Sequence, residues 1–184
     1  MSSAEKLVFE SSVEAMFVRS LHDRSSPELR SALRGIGIDV EKKLPPAISR
    51  DVWYQGIELV AKHAWKELPR EEALRAMGRR LIENLEGTLL GKTFGPVMRL
   101  LGPQRLLLRV PFNMRSANNF ATATVEVKAP RELIIETTDV GDAPELFAGT
   151  LEELLHWAGE KIVDVQFAVT TSPAARYVVK WGAS

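Results

Sequence analysis

The stretch richest in groups able to do chemistry is Leu106-Leu107-Leu108-Arg109-Val110-Pro111-Phe112-Asn113-Met114-Arg115-Ser116-Ala117-Asn118-Asn119-Phe120. It sets two guanidinium groups and two amides beside a strongly apolar run. Arg109, Arg115, Asn118 and Asn119 could clamp a carboxylate or phosphate head while Leu106, Leu108, Phe112 and Phe120 wall an apolar pocket, which suits an amphipathic small ligand. A structural reading stands beside it: the arginines pair with Glu132 or Glu136 across a sheet, and the asparagines make turns.

The other reactive residue types are sparse. The three histidines, His22, His63 and His156, lack a second ligand at coordinating offset, so no metal site is expected. Glu152 and Glu153 precede His156, but adjacent helical positions do not face one another. Gly87-Thr88-Leu89-Leu90-Gly91-Lys92-Thr93 ends like a phosphate loop, yet Glu86 stands where the motif needs a glycine, and the segment reads as a helix end. No nucleophile elbow or dinucleotide fingerprint occurs, and no nucleophile–base pair stands at usable spacing. The chain is therefore expected not to be an enzyme.

Composition narrows the setting. The 184 residues include no cysteine, which excludes thiolate catalysis, cysteine-ligated metal and a disulfide scaffold, and points to the cytoplasm. Lys+Arg 24 balance Asp+Glu 24, so no global field favours nucleic acid or anionic lipid. No run approaches a membrane span, and the start lacks the basic and apolar regions of a leader, so a soluble intracellular protein is expected. At this length one compact domain buries an adequate core unaided.

The elements that must position these residues follow from periodicity. Ser11 or Ser12 can cap a first helix carrying Val13, Met16, Phe17 and Leu21, ending near His22. Pro27 opens a second through Leu29 and Leu33, stopped at Gly35-Ile36-Gly37. Lys42 to Ala47 reads as a loop, and a Ser49 cap starts a third helix that Leu68-Pro69 closes. The fourth begins at Pro69 with a stripe of Leu74, Met77, Leu81, Leu85 and Leu89, broken by Gly91, Gly95 and Pro96 before a segment from Val97 to Leu101. Alternation then marks strands over Phe120 to Lys128, Leu133 to Thr138, Ile162 to Thr170 and Ala175 to Trp181, with a helix from Pro144 to Gly159 between the second and third. Residues 1–101 are thus a helical layer and 106–184 a ββαββ half. The fold class is α+β, one domain of helices packed on a four-stranded antiparallel sheet.

In order along the chain, Leu7-Val8-Phe9-Glu10-Ser11-Ser12-Val13-Glu14, Leu33-Arg34-Gly35-Ile36-Gly37-Ile38-Asp39, Ala76-Met77-Gly78-Arg79-Arg80, Thr88-Leu89-Leu90-Gly91-Lys92 and Leu101-Gly102-Pro103-Gln104-Arg105-Leu106-Leu107-Leu108-Arg109 resemble signatures of a myxobacterial paralogous family of unknown function. The last third, with Phe147-Ala148-Gly149-Thr150-Leu151-Glu152-Glu153-Leu154-Leu155 and Ala158-Gly159 before two closing strands, resembles a wider superfamily. That superfamily holds haem nitric-oxide-binding (H-NOX) domains, 4-vinyl-reductase-type ligand domains and transport protein particle (TRAPP) components. The resemblance implies an H-NOX-like fold able to enclose an apolar cavity. Haem-binding members carry a histidine before the first strand and a Tyr-x-Ser-x-Arg motif, whereas Pro96 to Arg109 has no histidine and the chain has no such motif. The vinyl-reductase-type cysteines are missing too, so no cofactor is expected, haem included.

Two functions follow. One is a non-enzymatic sensor-like module binding a small, mostly apolar ligand between helices and sheet. The other is a dimerising scaffold resembling transport-particle components, supported by the amphipathic helix from Pro69 to Leu90 and by neutral charge; a homodimer is expected.

Overall fold

In a computed structural model, residues 4–86 and 100–182 are described. The chain begins with β1 (Leu7–Phe9), which pairs antiparallel with β2 (Ala47–Ser49), Val8 opposite Ile48. Neither strand was expected, since three residues carry no readable period and Pro45-Pro46 read as loop alone. Between them run α1 (Glu10–Glu14), which widens into a π-helical turn over Ala15–Arg19, and α2 (Pro27–Gly35). Ser11 and Ser12 do not cap α1. Phe9 holds the cap position without a side-chain bond, because β1 leads straight into the helix. Val13, Met16, Phe17 and Leu21 are all buried as the spacing requires.

Ser26 caps α2 through the Leu29 N–H, and Ser49 caps α3 (Arg50–Ala64) through the Val52 N–H. The third helix stops at Ala64 rather than Leu68, and a turn closed by the Leu68 N–H on the Trp65 carbonyl follows. The next helix, α4 (Arg70–Glu86), buries Leu74 and Met77 and leaves Leu81 half-buried. The Leu85 side chain, Leu89 and the breakers Gly91, Gly95 and Pro96 lie outside the described residues, as do the Gly87–Thr93 segment and most of Val97–Leu101. Residues 100–107 are helical (α5), Leu108 and Arg109 form a turn, and α6 (Val110–Ala117) follows, its Asn113 N–H bonding the Arg109 carbonyl.

The second half is the anticipated ββαββ unit. Strands β3 (Ala123–Ala129), β4 (Glu132–Thr137), β5 (Val163–Thr171) and β6 (Ala174–Trp181) form an antiparallel sheet in the order β3-β4-β6-β5. Helix α7 (Pro144–Trp157) crosses from β4 to the far edge strand and covers one face. The first strand begins three residues later than alternation suggests. The Asn118 side-chain oxygen accepts the Phe120 and Ala121 N–H groups and so holds Phe120 in a turn instead of a ladder. On the outer face the charges pair across strands, Lys180 with Glu132 and Arg176 with Glu136.

Two apolar clusters result, one among α1 to α4 and the other between α7 and the sheet. They are joined where α4 crosses α7. Gly78 sits on the Leu146 carbonyl and Gly149 on the Arg75 carbonyl, so closely that a Cβ at either glycine would overlap backbone. Glu152 accepts from both Arg75 and Arg79 at 2.8 Å, and Arg75 also donates to the Val165 carbonyl of β5. Gly78→Ala and Gly149→Ala are each expected to destabilise the fold by about 3 kcal/mol, the upper end of overpacking effects, because rigid backbone rather than a movable side chain must give way. Urea unfolding of the two variants beside Gly35→Ala, whose Cβ meets nothing within 4 Å, checks this.

Candidate functional site

Between the two clusters lies a cavity of about 590 Å³, within the size range of small-molecule sites. Trp53 of α3, Leu81 and Ile82 of α4, Leu106 of α5, and Phe147, Leu154 and Trp157 of α7 supply most of its apolar wall. It persists because the elements around it are tied to one another outside it. Asn119 mimics a strand partner for the N-terminal segment: its side-chain oxygen accepts the Leu7 N–H at 2.8 Å, its amide donates to the Glu5 carbonyl at 3.0 Å, and its own N–H meets the Leu7 carbonyl. Asn118 bridges to Val8, donates to Met114 and accepts from two following N–H groups. Both amides thus engage their oxygen and one N–H in fixing the end of α6 against β1.

Of the eight residues proposed from the sequence, Leu106, Asn118 and Phe120 line this cavity, whereas Arg109, Arg115, Leu108, Phe112 and Asn119 do not. Helical spacing explains the split. Leu106, Val110, Asn113, Met114 and Ala117 line the cavity, and Leu108, Arg109, Phe112 and Arg115 lie on the other side of the segment. Arg109, Arg115, Leu108 and Phe112 are exposed. The acid-binding clamp therefore does not assemble on the cavity wall. The structural alternative for the arginines does not hold either, since Glu132 and Glu136 pair with Lys180 and Arg176; its reading of Asn118 as a turn residue does hold.

The charged group that does reach the wall is Asp139, buried to 4% exposure. Its carboxylate accepts two bonds from Arg50 at 2.8 Å, one from Lys6 at 3.2 Å and one from the Gly141 N–H at 3.0 Å. Burial alone would raise its pKa. The Arg50, Gly141 and Lys6 hydrogen bonds, with the Arg50 charge, outweigh this and hold it below the ordinary aspartate value. Arg50 also lies over the Tyr54 ring, 4.8 Å from its centroid. Burial pushes the Tyr54 phenol well above the usual tyrosine range, and Asp139 adds to the shift, so this wall residue is a neutral donor. Arg50 and Asp139 are 89 positions apart, which no single-sequence pattern reveals. The one local signal was the Asp139-Val140-Gly141 turn.

With that geometry in hand, a family model for proteins of unknown function, DUF2378, matches residues 6–182. The chain belongs to the DUF2378 family. No curated protein matches it. Among solved structures, this DUF2378 chain is similar to the unliganded Fe(II) H-NOX protein from K. algicida, at TM-score 0.68 and 9% identity over 94% of this chain and 96% of that one. A Cs H-NOX variant matches at TM-score 0.69 and 13% identity over 95% and 97%. An oxygen-binding H-NOX domain related to soluble guanylate cyclases, solved as its oxygen complex, matches at TM-score 0.62 and 12% identity over 94% and 90%. The fold is H-NOX-like, as the sequence resemblance implied.

The residues at the cavity do not fit a histidine-held haem. His22 and His156 are exposed, His63 lies on α3, and none of the three lines the cavity; the undescribed residues 87–99 contain no histidine. His156 is instead engaged with the Glu160 carbonyl. The wall's remaining donors are the Met114 thioether, the neutral Tyr54 phenol and a carboxylate already saturated by four donors. Titration with haemin is expected to give no Soret band of a histidine-ligated iron; a sharp one-to-one band would contradict this.

A second expectation concerns acid. Because the folded Asp139 pKa lies below its unfolded value, its contribution is complete above about pH 4 and is lost as pH falls through the folded pKa. Asp139→Asn should therefore lower stability at neutral pH by about 2–3 kcal/mol, less than a fully buried pair because Arg50 keeps some exposure, and should flatten the acid side of the stability–pH curve. Chemical unfolding between pH 3 and 7 reads both.

Proposed function

We propose that the chain is a non-enzymatic binding module for a small, mostly apolar molecule, free of haem and working in the cytoplasm. The observation that carries this is the cavity of about 590 Å³ between helical layer and sheet, walled by tryptophan, phenylalanine and aliphatic side chains. Its polar groups are few and mostly committed to the protein, the Asp139 carboxylate accepting four hydrogen bonds and the Asn118 amide taking part in three. Such a wall favours a hydrocarbon body over a polar or multiply charged ligand. The head of that ligand would meet Tyr54 rather than Arg109 and Arg115. The finer kinship, with myxobacterial paralogues, vinyl-reductase-type ligand domains and transport-particle components, belongs to the same proposal and agrees with a cavity used without iron.

A dimerising scaffold is the second reading. Its specific support is the pair of sheet edges: among the described residues no further strand pairs with β3 or β5, and Val127 and Val169 on them are exposed. Titration with the neutral fluorophore Nile red, together with native mass spectrometry, separates the two. The binding reading expects one blue-shifted site per chain, with affinity reduced at least tenfold by Met114→Trp or Ala117→Phe, which fill the cavity, and no loss of melting temperature. Unaltered affinity in both variants removes the cavity as the site. A stable dimer without bound hydrophobe favours the scaffold.

A further inference from the structure

The charges of this neutral chain are unevenly spread. From Gly87 to Val125 there are five Lys and Arg and no Asp or Glu. The described part of this stretch includes α5 and α6, and the two sides of that segment differ. Inward, Leu106, Val110, Met114 and Ala117 wall the cavity. Outward, Arg105 of α5, Leu108 and Arg109 of the turn, and Phe112 and Arg115 of α6 are all exposed, and Arg109, Phe112 and Arg115 succeed one another at three-residue spacing as a stripe along α6. Among the described residues none of the three arginines has an ion-pair partner, while the arginines of α2, α3 and α4 are paired.

The apolar members of this outer side are unusual for a water-facing surface. Phe112 is 60% exposed and Leu108 44%, each flanked by arginines. An aromatic and an aliphatic side chain between unpaired guanidinium groups match one environment well: the boundary of an anionic bilayer, where headgroup phosphates meet the arginines and acyl chains receive Phe112 and Leu108. A nucleic-acid backbone would satisfy the arginines but leave Leu108 in water, and the stripe carries no acid to orient a protein partner by mixed charge pairs. We propose that the outer face of the α5–α6 segment docks reversibly on anionic lipid membranes. This inference stands on surface charge and exposure and is independent of what fills the cavity.

Co-sedimentation of the full chain with vesicles tests it. Three parts phosphatidylcholine to one part phosphatidylglycerol should bind the protein, pure phosphatidylcholine should not, and raised salt should release it. The double variant Arg109→Gln/Arg115→Gln should weaken binding by roughly 25-fold, about fivefold per arginine, and Phe112→Ser by roughly tenfold. Arg109→Lys/Arg115→Lys should retain most of it, since a membrane surface reads charge rather than the planar fork. Arg176→Gln on the sheet's outer face should change nothing. All these positions are exposed, so unchanged melting curves are expected. Equal partition onto neutral vesicles, no binding to anionic ones, or insensitivity to the substitutions at Arg109, Phe112 and Arg115 would overturn the proposal. So would a dimer in lipid-free solution that the same substitutions dissociate, which would give the stripe to a second copy of the chain, or RNA binding in the absence of vesicle binding.

Discussion

The closeness of α4 to α7 is the constraint on which the remaining structure rests. Gly78 and Gly149 remove side chains at the crossing, so each helix seats on the other's carbonyl oxygens, and Glu152 then lies within reach of Arg75 and Arg79. One helix belongs to the N-terminal layer and the other is plated on the sheet, so this single approach sets the spacing of two apolar clusters. At the crossing the layers touch. The cavity lies beside it, and Leu146 and Thr150, which pack on Gly78, also line the cavity. The cavity is a product of that geometry as much as of its own wall.

The polar ties sit around the cavity and keep it from collapsing. Asp139 gathers Lys6, Arg50 and the Gly141 amide at one end, while Asn118 and Asn119 hold the N-terminal segment against the end of α6 at another. Buried ion pairs add little net stability where apolar residues would pack equally well, but they penalise alternative arrangements severely. Here the pairs join segments from both halves of the chain, which suits a frame that must stay open.

The fold was legible from sequence because its signals are local. Ser49, Pro27 and Pro144 mark helix starts, and the alternation in Ala175, Tyr177, Val179 and Trp181 marks a strand buried on one face. The site was legible only in part. Periodicity tells that α6 has two faces but not which one meets the cavity, so Arg109, Phe112 and Arg115 were grouped with Leu106 although they point the opposite way. The π-turn after Glu14 and the paired strands Leu7–Phe9 and Ala47–Ser49 are too short to carry a period. Asp139 was invisible because each of its charged partners is far away in the chain.

That separation also bears on how the molecule is made. Lys6 waits for a partner 133 positions on, Arg50 for the same carboxylate 89 positions on, and the Leu7 amide for Asn119 112 positions on. A nascent chain that has emerged only as far as α4 holds the whole first layer of helices but none of the groups that close its inner side. Val8, Ala15 and Trp53, which line the cavity, would face solvent until the sheet half arrives. Synthesis therefore passes through a stage in which the apolar wall is open on one side, and the burial that completes the helical layer comes with the last third of the sequence.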